Sequence, residues 1–274
     1  MNTIIDLLTI LLPVFYALLV WLYAKDFFRD QPLHHNIRPM LLIPTITIHF
    51  LYLILRTIAF DHMPITTIFE IMSIISFGVA VVYVSIEYVI NVKGTGVFVL
   101  FLSFLFQIIS SFFIEDLIEV KQVLRSRLLG THVTSALIGY VALAIAAMYG
   151  FLYIMLYHNI KAKRFNTYYL KLPNLEILER MTTISITIGF IFLGIAIAVG
   201  IVWLPSAFEQ FSYFDPKLVI TVCIWILFGV SILAKRYYGL RGRRFMMLAI
   251  VGFMIAFFSL TIGNLYFTGF HNFY

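Results

Sequence analysis

The chain has 274 residues, 62% of them hydrophobic and 12% charged, with a mean hydropathy of +1.00. Soluble domains carry about a quarter charged residues, so this composition fits a lipid solvent and leaves too little polar material for a sizeable soluble domain. The net charge of +6 does not point to nucleic acid, because basic residues flanking membrane spans produce the same balance.

In chain order, the opening segment "MNTIIDLLTILLPVFYALLVWLYAKDFFRD" lacks a basic leader and its apolar run has the length of a span, so it reads as a first span rather than a cleaved signal. A helix needs roughly 20 mainly apolar residues to cross a bilayer. Runs of that kind fall near 4–24, 39–59, 67–91, 95–115, 132–157, 183–204, 217–235 and 245–267. The expected fold is therefore all-α, a single integral-membrane domain over 1–274 with eight transmembrane helices and both termini on one side. Loops 25–38, 92–94, 158–182 and 236–244, with their flanks, hold fourteen of the 19 Lys and Arg residues. The opposite side holds the other five: Arg56, Lys121, Arg125, Arg127 and Lys217. The basic side is the cytoplasmic one, which turns both termini outward.

Three outer segments follow: 60–66 ("FDHMPIT"), 116–131 ("DLIEVKQVLRSRLLGT") and 205–216. The second spaces apolar residues among charges as a helix lying in the membrane interface does, and serves as a linker that covers the bundle. The inner segment 158–182 is basic and then amphipathic, suited to anionic lipid head groups. No internal repeat or low-complexity tract is present. The single cysteine, Cys223, lies in an apolar run, which excludes a disulfide framework and a CxxC motif.

Ionisable residues at membrane depth are costly to bury and are functional candidates by default. His49 sits midway along span two, where it can act as a ligand, a proton carrier or an interhelical hydrogen-bond partner. Arg56 lies near the outer boundary and is expected to snorkel. His132 opens span five, His271 follows span eight, and His62 and Glu70 flank the start of span three. The adjacent His34 and His35 read as solvated inner-loop residues, since no four-ligand zinc spacing surrounds them. No G-x-S-x-G, H-E-x-x-H or P-loop motif occurs, and "GLRGRR" at 239–244 reads as a topology determinant.

The topology brings His132, His271 and the ring-rich stretch "VWLPSAFEQFSYFDPKLV" (202–219) to one side of the membrane. Two imidazoles beside a floor of rings fit an axial-ligand pocket for a porphyrin, with Arg125 and Arg127 in topological reach of its propionates. The competing reading is plain: aromatic belts and wet histidines are normal at membrane surfaces. Asp215 has two roles open to it, orienting an imidazole or capping span seven with Pro216 at the first helical position.

The order of these landmarks resembles the cytochrome c assembly family of haem-handling membrane proteins, and within it the HemX proteins. The family's outer loop has the form W-G-x-Y-W-x-W-D-P-K-E with a histidine on each side. Here Trp203 precedes the loop, Phe208, Phe211, Tyr213 and Phe214 occupy its ring-rich core, and Asp215, Pro216 and Lys217 match D-P-K. His132 and His271 match the flanking histidines. "FDHMPITTIFE" resembles the segment L-P-x-x-N-x-Y-E, which puts Glu70 at its acid, and "LPNLEILERM" and "GLRGRR" resemble inner segments. Phe, Ser or Tyr replace core tryptophans, Leu218 stands where the family has Glu, and the synthetases' histidine in span seven falls at about Leu233. These departures resemble HemX proteins rather than cytochrome c synthetases.

The resemblance implies a non-covalent, b-type haem with His132 and His271 on the iron, Phe208, Phe211, Tyr213 and Phe214 as the floor, and Trp203, Asp215 and Glu70 nearby. His49 is a further candidate iron ligand. It also implies a protein that handles or transports haem, or regulates tetrapyrrole synthesis by lowering the level of glutamyl-tRNA reductase, and that is not an enzyme. Its partners would be membrane lipid, haem, and glutamyl-tRNA reductase or other haem-biosynthesis proteins at the cytoplasmic loops. Two other functions compete with it: a scaffold without haem that holds a soluble partner through loops 25–38 and 158–182, and a secondary transporter coupled through His49 and Glu70. The prolines at 13 and 44 are not in matching half-positions, which disfavours the transporter.

Overall fold

The computed structural model describes residues 2–29, 37–92, 94–116, 127–207, 214 and 216–266. Among them the chain forms helices and no strand: α1 (Asn2–Phe28), α2 (Ile37–Phe60), α3 (Ile68–Tyr88), α4 (Gly96–Phe113), α5 (Arg127–Lys161), α6 (Thr167–Lys171), α7 (Leu175–Ala207), α8 (Pro216–Tyr238) and α9 (Arg243–Tyr266). All but the short α6 contain a stretch long and apolar enough to cross a membrane, which makes eight candidate spans. The all-helical, eight-span expectation is met.

Two helices exceed their expected length by the widest margin. The apolar pattern predicts span five over 132–157 and span six from 183, but α5 runs for 35 residues and α7 for 33. At 1.5 Å per residue each is about 50 Å long, beyond the roughly 30 Å hydrocarbon core. Hydropathy marks only the part of a helix that lipid requires to be apolar. Leu128 and Leu129 accordingly belong to the first turn of α5, while the rest of the expected interfacial helix, 117–126, lies outside the described residues.

The chain groups into two compact units. One comprises Met1–Ile118 and Met155–Asn174, the other Glu119–Ile154 and Leu175–Tyr274. In the first unit, α1 to α4 pack around side chains that are unusually polar for a membrane interior. Thr67 caps α3: its hydroxyl accepts from the Glu70 amide, while Glu70 reaches back to the Thr67 amide, a reciprocal capping box. At the opposite end, Lys171 donates to the carbonyls of Asp26 (3.0 Å) and Arg29 and so fastens α6 to the end of α1. The α3–α4 turn closes onto the same place. Gly94 has φ +86°, and a Cβ there would lie 2.1 Å from the Lys171 carbonyl oxygen, so only glycine fits.

The second unit is assembled by close approach. A Cβ on Gly189 would stand 2.7 Å from Leu143 Cδ2, and one on Gly139 would stand 2.9 Å from Leu193 Cγ, so α5 and α7 meet with glycine against leucine in both directions. Phe190 of α7 stacks on Trp225 of α8 at 4.9 Å and 7°, and Trp225 Nε1 donates to the Phe190 carbonyl at 2.9 Å. Lacking a hydrophobic drive between helices in lipid, such small-residue contacts and interhelical hydrogen bonds are what hold spans together.

Candidate functional site

His132 stands on the second turn of α5, half-buried, and its ring rests on α7. Nδ1 lies 2.8 Å from the Ala196 carbonyl oxygen. A carbonyl can only accept, so Nδ1 carries the proton and Nε2 carries the lone pair. Gly200 admits the ring, because a Cβ at that position would come within 3.1 Å of both Nδ1 and Cε1. Ala196, Gly200 and Trp203 share one buried face of α7, and the chain beyond them enters the ring-rich stretch. An imidazole oriented by an Nδ1–H···O=C bond is the usual state of a histidine that ligates a metal through Nε2. This donor chemistry fits haem iron.

The other sequence-predicted residues of this pocket divide. Trp203 is buried at 6% exposure, and Phe214 is exposed at 87%. Phe208, Phe211, Tyr213, Asp215 and His271 lie outside the described residues, as does Arg125. Pro216 opens α8 as expected of a proline at a helix start.

His49 and Glu70 belong to the first unit. His49 is fully buried, with Nδ1 2.9 Å from the Tyr16 hydroxyl and Nε2 3.0 Å from Ser73 Oγ. Ser73 in turn donates to Gln107 Oε1 (3.1 Å), and Gln107 Nε2 donates to Ser111 Oγ (3.1 Å). Four helices thus contribute to one directed chain of hydrogen bonds. Of the roles open to His49, the geometry displays the interhelical partner.

Glu70 is 1% exposed and fully engaged. Its Oε2 accepts from the Thr66 amide (2.8 Å), the Thr66 hydroxyl (2.6 Å) and the Thr67 amide (3.3 Å), while Oε1 meets Arg56 at 3.1 Å. Arg56 also pairs with Asp116 at 3.0 Å and lies 4.8 Å from the centre of the Phe60 ring. The expectation that Arg56 snorkels is overturned: the side chain is 2% exposed, held between the buried Glu70 carboxylate and the exposed Asp116 carboxylate.

Sequence reasoning misses this cluster and also Glu87. Glu87 falls inside span three, is 4% exposed, and accepts a 2.6 Å hydrogen bond from the Tyr23 hydroxyl. Two signals for these residues are present in the sequence: the T-x-x-E capping pattern at 67–70, and Tyr16 and Tyr23 spaced seven apart on one face of α1.

Comparison with known proteins shows the family. The family described as Cytochrome C assembly protein matches residues 7–271. Protein HemX from Brevibacillus brevis is 23% identical over 223 residues, covering 81% of this chain and 82% of that one. The cytochrome c biogenesis protein CcsA of Chlamydomonas reinhardtii is 29% identical over 152 residues, covering 55% of this chain and 41% of that protein. Protein HemX of Bacillus subtilis (strain 168) is 25% identical over 118 residues, with 43% of each covered. The match reaches from the first helix to the stretch beyond the last, including His132 and His271, and the chain belongs to the cytochrome c assembly protein family.

Proposed function

We propose that this chain is a haem-binding membrane protein that handles or transports haem and, like the HemX relatives it resembles, modulates the level of glutamyl-tRNA reductase. The observation that carries the reading is His132: its Nδ1 faces a backbone carbonyl at 2.8 Å, which leaves the lone pair on Nε2, the nitrogen an iron ligand uses. His132 and His271 would hold the iron of a non-covalent, b-type haem, with the rings of 208–214 against the macrocycle. The bound group supplies an iron whose potential is set by its axial ligands and exposure. The protein acts by binding rather than by catalysing a reaction.

In this proposal the membrane is the bacterial cytoplasmic membrane and the basic loops face the cytoplasm. α6 and its flanks then form the surface offered to glutamyl-tRNA reductase or another haem-biosynthesis protein. Phe165 is 67% exposed and Leu170 73%, on a segment that Lys171 holds rigidly to α1. A role as a cytochrome c assembly component is the second reading, and the relatives named CcsA support it.

The test is the visible spectrum of the detergent-purified protein, oxidised and reduced, with and without added haem. Low-spin bands that are lost in His132→Ala or His271→Ala, and a pigment that acid–acetone extracts, are the expected result. A protein that takes up no haem would remove the reading. Substitutions confined to 158–174 should alter reductase level and leave the pigment intact.

A further inference from the structure

We propose that the first unit is a gated proton pathway: two polar half-paths enter the four-helix core from opposite ends, an apolar layer separates them, and His49 is the proton-binding group of one. This stands independently of the haem reading. It begins with α3, where Glu70, Ser73, Ser76, Tyr83 and Glu87 follow one another at intervals of three, three, seven and four residues. Those intervals keep all five on one face of the helix, and each is buried. A polar stripe the length of a membrane span is costly unless it is used.

The Glu70 half-path starts at Asp116, which is 44% exposed and reaches Arg56, which reaches Glu70. One turn deeper it meets Ser73, His49 and Gln107. Three buried polar atoms in this half have no protein partner: Arg56 Nε, Ser103 Oγ and Ser110 Oγ. Ser103 lies beside Ser76, whose hydroxyl donates to the Ser103 carbonyl at 2.8 Å, and Ser110 is one turn from Gln107. Buried hydroxyls without partners are unfavourable in an apolar medium, so this half is built to receive a small hydrogen-bonding species, water or hydronium.

The opposite half-path holds Glu87, Tyr23 and Tyr83. Gly96 lets the two rings in, since a Cβ there would meet Tyr83 Oη at 2.3 Å and Tyr23 Cδ1 at 2.4 Å. Between the Ser76–Ser103 level and the Tyr83–Gly96 level, α3 and α4 present Val79, Ala80, Val99 and Leu100, and α1 presents Leu19 between its two tyrosines. All five are at 0% exposure. On α2 Thr45, one turn from His49, turns its hydroxyl to the Leu41 carbonyl at 2.7 Å. The layer is dry.

The hydrogen-bond directions define what His49 does. Gln107 Nε2 donates to Ser111, so Oε1 faces Ser73 and takes its proton; Ser73 therefore accepts from His49 Nε2–H, and Tyr16 donates to Nδ1. The groups around His49 are Tyr16 from α1, Ser73 and Phe77 from α3, and Tyr52 from its own helix, with the Arg56–Glu70 pair beyond. Hydronium delivers a proton to Nδ1 when the Tyr16 hydroxyl turns away, and the Nε2 proton passes to Ser73 Oγ as the Ser73 hydroxyl gives its own proton to water. One proton is bound for each released, and water is the only co-reactant.

Substituted-cysteine accessibility tests the pathway in a Cys223→Ser background, because Cys223 is the sole native cysteine. Single variants Ser73→Cys, Ser76→Cys, Val79→Cys, Ala80→Cys and Thr95→Cys are nearly isosteric or add little volume. Reconstituted in vesicles, they are treated with silver ion from one side at a time. The expected pattern is reaction at 73 and 76 from one side only, at 95 from the other side only, and none at 79 and 80. A protein inert at 73 and 76 from both sides has a solid polar core, and the proposal falls. Reaction at 79 and 80 in the resting protein removes the gate. In vesicles loaded with a pH dye, Leu100→Asn should open a proton leak above wild type, and adding His49→Phe should abolish it. A leak indifferent to His49 would take that residue out of the path.

Discussion

In the first unit a histidine is gripped by two neighbouring helices through side-chain hydrogen bonds, Tyr16 on one nitrogen and Ser73 on the other. In the second unit a histidine rests on α7, with a backbone carbonyl at Nδ1 and a glycine against its ring. Both arrangements orient an imidazole, but they prepare it differently. A ring bonded at both nitrogens by hydroxyl groups can bind and release protons along a chain. A ring whose Nδ1 donates to a carbonyl carries its lone pair on Nε2. The same contrast runs through the rest of each unit, with buried Glu, Arg, Gln and Ser side chains joining α1 to α4 and glycines bringing α5, α7, α8 and α9 together.

The largest effect should come from breaking the ion pair of the first unit. Arg56→Leu leaves the Glu70 carboxylate buried at 1% exposure without its cation, and stranding one partner of a buried pair costs about 3–5 kcal/mol. Thermal unfolding in detergent should report the loss. Changing Glu70 to Gln in the same protein should recover much of it, since the amide oxygen can still serve the cap. No recovery would mean that Arg56 acts through packing on Phe60 alone.

Next comes the glycine contact of the second unit. Gly189→Val drives a side chain into Leu143, whose Cδ2 already lies 2.7 Å from the Cβ position, and overpacking of this kind costs about 1–3 kcal/mol. Leu143→Ala should be damaging alone and partly compensating beside Gly189→Val. Purely additive losses would contradict the direct contact between α5 and α7.

The smallest effect is the most informative about the polar core. A double-mutant cycle of Tyr16→Phe and His49→Phe should give a coupling of about 0.6 kcal/mol, the usual worth of an interhelical hydrogen bond in a membrane protein. The cycle is read by denaturant unfolding in mixed micelles. A coupling near zero would detach Tyr16 from His49. The corresponding change in the second unit, Trp225→Phe, keeps the stack on Phe190 and loses only the Nε1–H bond, so a similar loss is expected there.

The eight spans were legible because lipid excludes charged residues over a fixed length, and that constraint acts on each run separately. Their ends were less legible, as α5 and α7 illustrate, because a helix that leaves the bilayer is no longer obliged to be apolar. His132 was legible as a residue at a helix start. Its tautomer was not, because the deciding carbonyl belongs to Ala196, 64 residues away.

By itself the sequence determined that the chain is helical and that it carries eight helices long and apolar enough to span a membrane. It also determined the capping box of α3, since Thr67 and Glu70 are close in the chain. Tertiary structure alone decided that Arg56 turns inward, that His49 joins four helices, and that polar side chains of α3 meet those of α4 beside the buried Val79, Ala80, Val99 and Leu100. Burial of a charge or hydroxyl depends on whether another helix supplies its partner, and helices far apart in sequence supply those partners only once they are packed.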